Sequence, residues 1–315
     1  MTDKTIAVVG ATGSQGGGLV RAILDDGEFT VRALTRDPSS ARGAALQEAG
    51  AEVVAADLDD EESLDRAFDG VHGAFVVTNY WAPLTPEQEA ARSRAEMELA
   101  QARNAARALE RAGARHVVWS TLEDTRGHFA DDAAVPDVEG YKVPHFDAKA
   151  EADTVFADLP VTYLRTTLFF ENFVDSFPPR RGDDGALTLA LPIADQPLAG
   201  IAVDDIGRSA LGVFKRGEAL VGQTVSIAGD ILTGAQYAAA LTDSLGEPVT
   251  YLPVPFDAFR AQGFPSAVEM GNMFQYYAEN SAAFTAARDL DWVRELNPRL
   301  QTFREWLATT QKSPA

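Results

Sequence analysis

The stretch Gly10-Ala11-Thr12-Gly13-Ser14-Gln15-Gly16 decides the fold, because an apolar run precedes it and an amphipathic run follows it. Residues 5–9 predict a buried β-strand, and residues 17–24 predict a helix with an apolar stripe. A strand, a glycine-rich turn and a helix in this order are typical of a dinucleotide site. Gly10 lets the chain turn sharply, Gly13 leaves room for a pyrophosphate, and Gly16 lets the helix pack close to the strand. The helix N-terminus would then face the phosphates with its partial positive charge.

A second predicted strand, residues 30–35, ends at Arg36, where the residue that meets the adenosine ribose lies in a Rossmann unit. An arginine at this place suits the 2′-phosphate of NADP(H), whereas an acidic residue favours NAD(H). Ser39 and Ser40 follow at a predicted helix start and add hydroxyl and N–H donors. NADP(H) is therefore the predicted cofactor, with NAD(H) left open because Asp37 comes directly after Arg36.

Composition narrows the class of protein. The 315 residues are 46% hydrophobic, which is enough for one large domain or one and a half. The absence of cysteine excludes disulfides and thiolate catalysis, and the 4 histidines lack metal-ligand spacing, so no metal site is expected. There is no signal-peptide pattern and no long apolar span, which predicts a cytoplasmic protein without a membrane partner.

The chain is strongly acidic. Its 47 acidic and 27 basic residues give a formal net charge of −20, which argues against direct binding to nucleic acid or to an anionic membrane. One interpretation is adaptation to a high-salt cytoplasm, where salt screens the self-repulsion of an acidic surface. The other is an ordinary acidic protein from a GC-rich genome, and the first interpretation is slightly favoured.

Alternating strand-like and helix-like segments predict an α/β fold with a doubly wound parallel sheet. Further predicted strands are residues 52–56, 73–78, 116–120 and 161–165, and predicted helices are residues 39–48, 62–68, 86–112 and 144–158. After Arg165 the rhythm breaks, and short strands alternate with helices. This change predicts a Rossmann domain over residues 1–165 and a smaller C-terminal α/β cap over residues 166–315, interleaved with the sheet. The acidic segment 125–140 is expected to be mobile.

In the cap, the predicted strands are residues 188–191, 224–227 and 249–252, and the predicted helices are residues 203–214, 233–245, 256–262, 266–278 and 302–310. Such a cap would pack over the carboxyl ends of the sheet, where ligands bind in these folds.

Several short motifs, in this order and spacing, make the chain resemble the NmrA-like family of atypical short-chain dehydrogenases, and within it the NADPH-sensing HSCARG branch. The motifs are Val9-Gly10-Ala11-Thr12-Gly13-Ser14-Gln15-Gly16-Gly17, Thr35-Arg36-Asp37-Pro38, Gly50-Ala51-Glu52-Val53-Val54 with Asp57, Val77-Thr78-Asn79-Tyr80-Trp81, His145-Phe146-Asp147-Ala148-Lys149, Phe170-Glu171-Asn172, and Asn272-Met273-Phe274 with Tyr277. The resemblance covers nearly the whole chain. Segment 125–140 departs from it, since it looks longer here.

The resemblance implies a set of cofactor contacts along the chain. Besides the glycine turn, it implies Arg36, Asp37, Pro38, Ser39 and Ser40 at the ribose, Asp57 and Leu58 beside the adenine, Thr78, Asn79 and Tyr80 after the fourth strand, Lys149, and Phe169, Phe170, Glu171 and Asn172 at the nicotinamide end.

Whether the chain is an enzyme is left open by its catalytic residues. A working short-chain dehydrogenase pairs a tyrosine with a lysine one helical turn later, and the lysine lowers the tyrosine pKa. Here Lys149 is present, but His145 stands one turn earlier, and Tyr141 precedes Pro144 and is expected on a loop. Ser120 occupies the place of the dehydrogenase serine, although a hydroxyl that caps a strand end explains it equally well.

Two functions therefore remain. In the first, the chain binds NADP(H) and, with little or no turnover, changes its conformation, its protein partner or its homodimer state. The missing tyrosine favours this first function. In the second, it is a reductase of quinones or other small carbonyl or enone compounds, with Lys149, His145 or water supplying the proton.

Overall fold

The computed structural model describes residues 4–130 and 132–310, and a parallel sheet lies at its centre. The strands are β1 (Thr5–Val8), β2 (Thr30–Thr35), β3 (Glu52–Ala55), β4 (Gly73–Val76), β5 (His116–Thr121), β6 (Val161–Arg165), β7 (Leu168–Phe169), β8 (Arg180–Arg181), β9 (Leu187–Leu191), β10 (Leu198–Ile201), β11 (Thr224–Ser226), β12 (Asp230–Leu232) and β13 (Val249–Pro253). The helices are α1 (Ser14–Asp26), α2 (Ala41–Glu48), α3 (Glu61–Phe68), α4 (Pro86–Ala91), α5 (Arg94–Ala112), α6 (Arg126–Phe129), α7 (Pro144–Ala152), α8 (Asn172–Asp175), α9 (Val203–Arg216), α10 (Gly234–Leu245), α11 (Phe256–Arg260), α12 (Ala267–Glu279), α13 (Ser281–Ala286), α14 (Leu290–Leu296) and α15 (Phe303–Thr310).

The central sheet has the order β11-β6-β5-β4-β1-β2-β3, and its neighbouring strands pair in parallel. The order reverses at β1, which lies between β4 and β2, so the crevice at the carboxyl ends of these strands is where a ligand binds in such a fold. The predicted α/β fold, with a doubly wound parallel sheet and a smaller cap, is confirmed.

Helices cover both faces of this sheet, as strands that are apolar on both faces require. Ile6 and Val8 of β1 pack in one cluster with residues of α1 and α9, while Ala7 and Val9 pack in another with residues of α3 and α5. The alternation along β1 thus assigns each side chain to one layer.

Residues beyond Arg165 complete the large sheet and one of its two helical layers. Strand β11 pairs with β6 at the edge of the large sheet, and α9 packs on α1. The remaining strands form two small sheets, β12-β10-β7 and β13-β9-β8, around a third apolar core.

Two predicted helices were too long. The predicted helix 86–112 is divided into α4 and α5, because Arg92 is extended and Ser93 begins a new helix in a capping box with Glu96. The predicted helix 144–158 ends as α7 at Ala152, and a short 3₁₀ turn over residues 153–156 follows it.

The acidic segment 125–140 is anchored to the rest of the chain at several points. Phe129 and Val135 are buried in the cap core. The Asn272 amide donates to the carbonyl of Pro136 at 2.9 Å, and the Glu139 carboxylate accepts from the backbone N–H of Ala95 at 3.2 Å. Asp131 lies outside the described residues.

None of the helices within residues 4–130 and 132–310 is long and apolar enough to cross a membrane.

Candidate functional site

One large cavity of about 2130 Å³ opens at the carboxyl ends of the central strands. Most of the site residues expected from the sequence contribute to its wall. These residues are Gly10, Thr12, Gly13, Ser14, Gln15, Gly16, Arg36, Asp57, Leu58, Thr78, Asn79, Tyr80, Ser120, His145, Lys149, Phe169 and Asn172.

The glycine turn is shaped by two of its glycines. Gly10 has a φ of +66°, which favours glycine, and its carbonyl accepts a bond from the Gly13 N–H at 2.8 Å. A Cβ on Gly16 would lie 2.4 Å from the Gly10 carbonyl oxygen, so only glycine lets α1 approach β1 this closely.

The N-terminus of α1 is open to an anion. Gly13 precedes the helix in an extended conformation, and neither a side-chain cap nor an acidic residue occupies its first turn. First-turn N–H groups without a capping partner favour a negatively charged ligand. The arrangement therefore fits a pyrophosphate.

Arg36 follows β2 at the edge of the cavity. Its guanidinium is exposed and makes no hydrogen bond or ion pair among the residues that the structure describes. Arg42 of α2, which the sequence analysis did not single out, donates to the carbonyl of Thr12 at 3.4 Å. Arg42 therefore contacts the glycine turn, and Arg36 lines the cavity that the turn also lines.

The four residues that follow Arg36 make local contacts and lie outside the cavity wall. The Asp37 carboxylate accepts from the Ser39 hydroxyl at 2.6 Å and from the Ser39 N–H at 2.9 Å, and these bonds hold the pKa of Asp37 below its usual value. The Ser40 hydroxyl caps α2 by accepting from the Gly43 N–H. Pro38 packs against Gly43, where a Cβ would lie 2.5 Å from the Pro38 oxygen.

At the expected adenine end, the loop after β3 is fixed by its own contacts. The Asp57 carboxylate accepts from the Asp59 N–H at 3.0 Å, and the carbonyl of Leu58 accepts from the Asn104 amide at 2.8 Å.

Lys149 projects from α7 into a buried polar cluster. Its Nζ donates to the Thr78 carbonyl at 3.0 Å and to the Thr78 hydroxyl at 2.7 Å, and it lies 2.9 Å from Glu98 Oε1. Glu98 is 1% exposed, and its oxygens have no hydrogen bond among the described residues. The lysine is therefore the counter-charge of a buried carboxylate that sequence reasoning missed.

His145 is held by a second carboxylate that sequence reasoning also missed. Its Nδ1 lies 2.6 Å from Glu269 Oε1, and the same oxygen accepts from the His145 backbone N–H at 3.0 Å. Glu269 belongs to α12 and is 2% exposed. The aromatic ring of Trp81 has its centroid 5.2 Å from that of His145. The ring of His145 is thus fixed in the cavity wall.

The hydroxyl groups near this cluster have different roles. Ser120 donates to the Gln15 side chain at 2.7 Å and so joins the end of β5 to α1. Tyr141 lies on the loop before α7, and its hydroxyl donates to Glu151 at 2.9 Å. Burial, and then the bond to Glu151, raises the pKa of Tyr141 to about 12. Tyr141 is therefore not paired with Lys149.

Besides the four residues after Arg36, three more residues expected at the cofactor lie outside the cavity wall. Ala11 is 1% exposed beneath the glycine turn. Phe170 is fully buried against Phe303, with ring centroids 5.1 Å apart. The Glu171 carboxylate accepts from the Val203 N–H at 3.1 Å, at the first residue of α9. The structure assigns packing to the first two and helix capping to Glu171.

Comparison with known proteins identifies the lineage. The NmrA-like family model matches residues 2–307. The NmrA-like family domain-containing oxidoreductase FrzB of Cladobotryum sp. is 31% identical over 307 residues, which cover 90% of this chain and 89% of FrzB.

Two proteins of known structure share the fold. NmrA, a negative transcriptional regulator, solved in complex with NADP, has a TM-score of 0.76 and 23% identity over 98% of this chain and 95% of its own. Its complex with NAD has the same TM-score of 0.76 at 22% identity. The Citrobacter sp. triphenylmethane reductase complexed with NADP(H) has a TM-score of 0.70 and 18% identity over 97% of this chain and 99% of its own. Because the family model spans nearly the whole sequence, this chain belongs to the NmrA-like family.

Proposed function

We propose that this chain binds NADP(H) in the cleft at the carboxyl ends of the sheet. The uncapped N-terminus of α1 above the glycine turn would hold the pyrophosphate. Arg36, which has no partner among the described residues, would hold the 2′-phosphate. Asp57 and Leu58 would lie beside the adenine, and Lys149 would hold the nicotinamide ribose. The complexes of NmrA with NADP and with NAD support a nicotinamide dinucleotide in this cleft.

We propose further that the bound cofactor, which supplies hydride chemistry, serves a reductase of small apolar carbonyl compounds such as quinones or enones. The size of the cavity carries this proposal. Pockets for one small ligand measure roughly 300–1,000 Å³, whereas this cavity measures about 2130 Å³. The cap contributes polar residues to its wall, such as Arg180, Arg181 and Gln262, and beside them a set of apolar residues. The apolar residues are Phe169, Phe177, Phe259, Phe264, Met270 and Met273.

A specific observation favours a second function, an NADP(H)-responsive regulator with little or no turnover. No tyrosine is paired with Lys149 among the described residues, and the lysine Nζ is already bonded to Thr78. In this function, binding of the cofactor would change the conformation of the chain or its association with a protein partner or a second copy. The description of NmrA as a negative transcriptional regulator is consistent with it.

The loss of NADPH absorbance against a panel of quinones, enones and aldehydes separates the two functions. Removing Lys149 alone would leave Glu98 as a buried unpaired charge, so the test variant is the neutral pair Lys149→Met with Glu98→Gln. Saturable turnover by the wild type that disappears in the double variant would establish the reductase. Binding without turnover, together with a cofactor-dependent change in oligomer size or protease sensitivity, would establish the regulator.

A further inference from the structure

We propose that His145 and Glu269 form a proton-donating pair, in which His145 Nε2 gives a proton to the oxygen of a neutral apolar acceptor and Glu269 positions the ring. This inference rests on the proposed reductase function. A dehydrogenase of this fold would use a tyrosine to donate this proton. Here a histidine on α7 and a carboxylate on α12 take that role.

The hydrogen bonds define which nitrogen is free. Glu269 Oε1 accepts both the backbone N–H of His145 at 3.0 Å and a bond from Nδ1 at 2.6 Å. As an ionised carboxylate Glu269 can only accept, and the hydrogen shared with the ring then belongs to Nδ1. Nε2 has no hydrogen-bond partner among the described residues, and the ring lines the cavity. When the ring is protonated, Nε2 becomes a donor toward the cavity.

The ring of His145 faces a buried carboxylate and two other titratable groups. Glu269 is 2% exposed, and a buried carboxylate attracts an imidazolium more strongly than an exposed one does. The other titratable groups near the ring are Tyr80, whose ring centroid lies 5.9 Å away, and Lys149, one helical turn further along α7. Burial, and then the negative charge of Glu269, raises the pKa of Tyr80, so this phenol stays neutral.

The apolar wall adjoins the pair. Met270 and Met273 follow Glu269 on α12 and line the same cavity, and Trp81 stands 5.2 Å from the His145 ring, centroid to centroid. Flat, apolar molecules pack well against such side chains. The acceptor class is therefore a neutral, flat quinone or enone.

The proton requirement separates two kinds of acceptor. A neutral enone takes a hydride at carbon and a proton at oxygen, so one NADPH and one H⁺ are consumed for each NADP⁺ and reduced product. A cationic triphenylmethane dye takes a hydride at its central carbon and becomes neutral without any proton. A proton donor should therefore matter for the enone and much less for the dye.

The first experiment measures NADPH-dependent reduction of both acceptors by the wild type, His145→Gln and Glu269→Gln. His145→Gln should lower the rate with the enone by about 100-fold, because general acid catalysis contributes about 10²–10⁴-fold, and should lower the dye rate far less. With the enone, the rate of Glu269→Gln should lie between those of the wild type and His145→Gln. The same substitution should shift the enone pH profile to lower pH, because loss of the negative charge favours the neutral ring. A matched control is the pair His128 and Glu279, 3.0 Å apart outside the cavity wall; His128→Gln should change neither rate.

Results that contradict the proton-donating pair differ from results that contradict the reductase function. An equal loss with both acceptors, or no loss with the enone, would overturn the proton-donating pair while leaving a reductase. A purely structural role for Glu269, which also caps the first turn of α7, would lower the melting temperature without moving the pH profile. If the wild type reduces neither acceptor, both the reductase function and the role of the pair are wrong.

A readout independent of turnover is ¹⁵N NMR of the 4 imidazoles, in which the His145 signal is identified by its loss in His145→Gln. We expect His145 to carry its hydrogen on Nδ1 when neutral and to take up the second proton at lower pH in Glu269→Gln than in the wild type. A neutral His145 protonated on Nε2, or a titration that Glu269→Gln does not move, would overturn the pair.

Discussion

At the residue scale, the proposed preference for NADP(H) depends on Arg36, whose guanidinium is exposed and lacks a protein partner among the described residues. Arg36→Ala should weaken binding of NADP⁺ about tenfold and leave NAD⁺ unchanged, because a hydrogen bond to a charged group contributes about 1.5 kcal/mol. Calorimetric titration of both cofactors measures this. Arg66→Ala, which removes an exposed arginine paired with Glu62 outside the cavity wall, is the control. An equal loss for both cofactors would show that Arg36 does not recognise the 2′-phosphate.

Some site residues could be predicted from the sequence, and others could not. The glycine turn and Lys149 belong to local patterns, so their positions at the cavity could be anticipated. Glu269 lies 124 residues from His145 in the chain, and only the packing of α12 against α7 brings them together. A lone acid in the largely apolar stretch 267–274 was the available signal. Phe170 and Glu171 show the converse, because sharing a motif with Asn172 does not bring them into the cavity wall.

At the element scale, the βα rhythm of the first half predicted the large sheet well, since each strand there contains a short apolar run. The break between α4 and α5 had a local signal, Ser93-Arg94-Ala95-Glu96, which is a capping box inside an otherwise helical run. Strands β7, β8 and β12 have two or three residues each, too few for a periodic pattern, and tertiary contacts decide them.

The position of the glycine turn also depends on α9, which lies 190 residues further along the chain and packs on α1 with almost no space between the backbones. A Cβ on Gly207 would lie 2.2 Å from the Gly18 carbonyl carbon. Gly207→Ala should therefore lower the free energy of unfolding by about 1–3 kcal/mol, as overpacking does. Denaturant unfolding measures it.

The control for this substitution is Gly127→Ala on α6, where a Cβ would meet nothing within 4 Å. It should change stability by less than about 0.5 kcal/mol. If the two variants are equally stable, the contact between α1 and α9 is looser than the structure shows.

At the scale of the whole molecule, the net charge of −20 opposes folding by self-repulsion. Exposed ion pairs such as Glu61 with Arg107 and Arg111 offset little of it, since each is worth about 0–1 kcal/mol. Stability should therefore rise with KCl, mostly between about 0.01 M and 1 M, where the screening length falls from about 30 Å to 3 Å. Thermal unfolding across that series measures it, and a flat or falling melting temperature would reject the high-salt interpretation of the acidic surface.

The central claim, that the cleft binds a nicotinamide dinucleotide over the glycine turn, is tested most directly by calorimetric titration of the wild type and Gly13→Val with NADPH and NADH. Gly13 is extended, with φ −93° and ψ −175°, so its backbone torsions allow valine, although the new Cβ would lie 3.2 Å from the Gly10 carbonyl oxygen. The new side chain would fill the approach of the pyrophosphate. We predict one NADPH bound per chain, tighter than NADH, and no binding of either by Gly13→Val, with a cooperative melting transition showing that the variant is folded. Wild-type protein that binds neither cofactor, or a folded Gly13→Val that binds NADPH as the wild type does, would contradict the account.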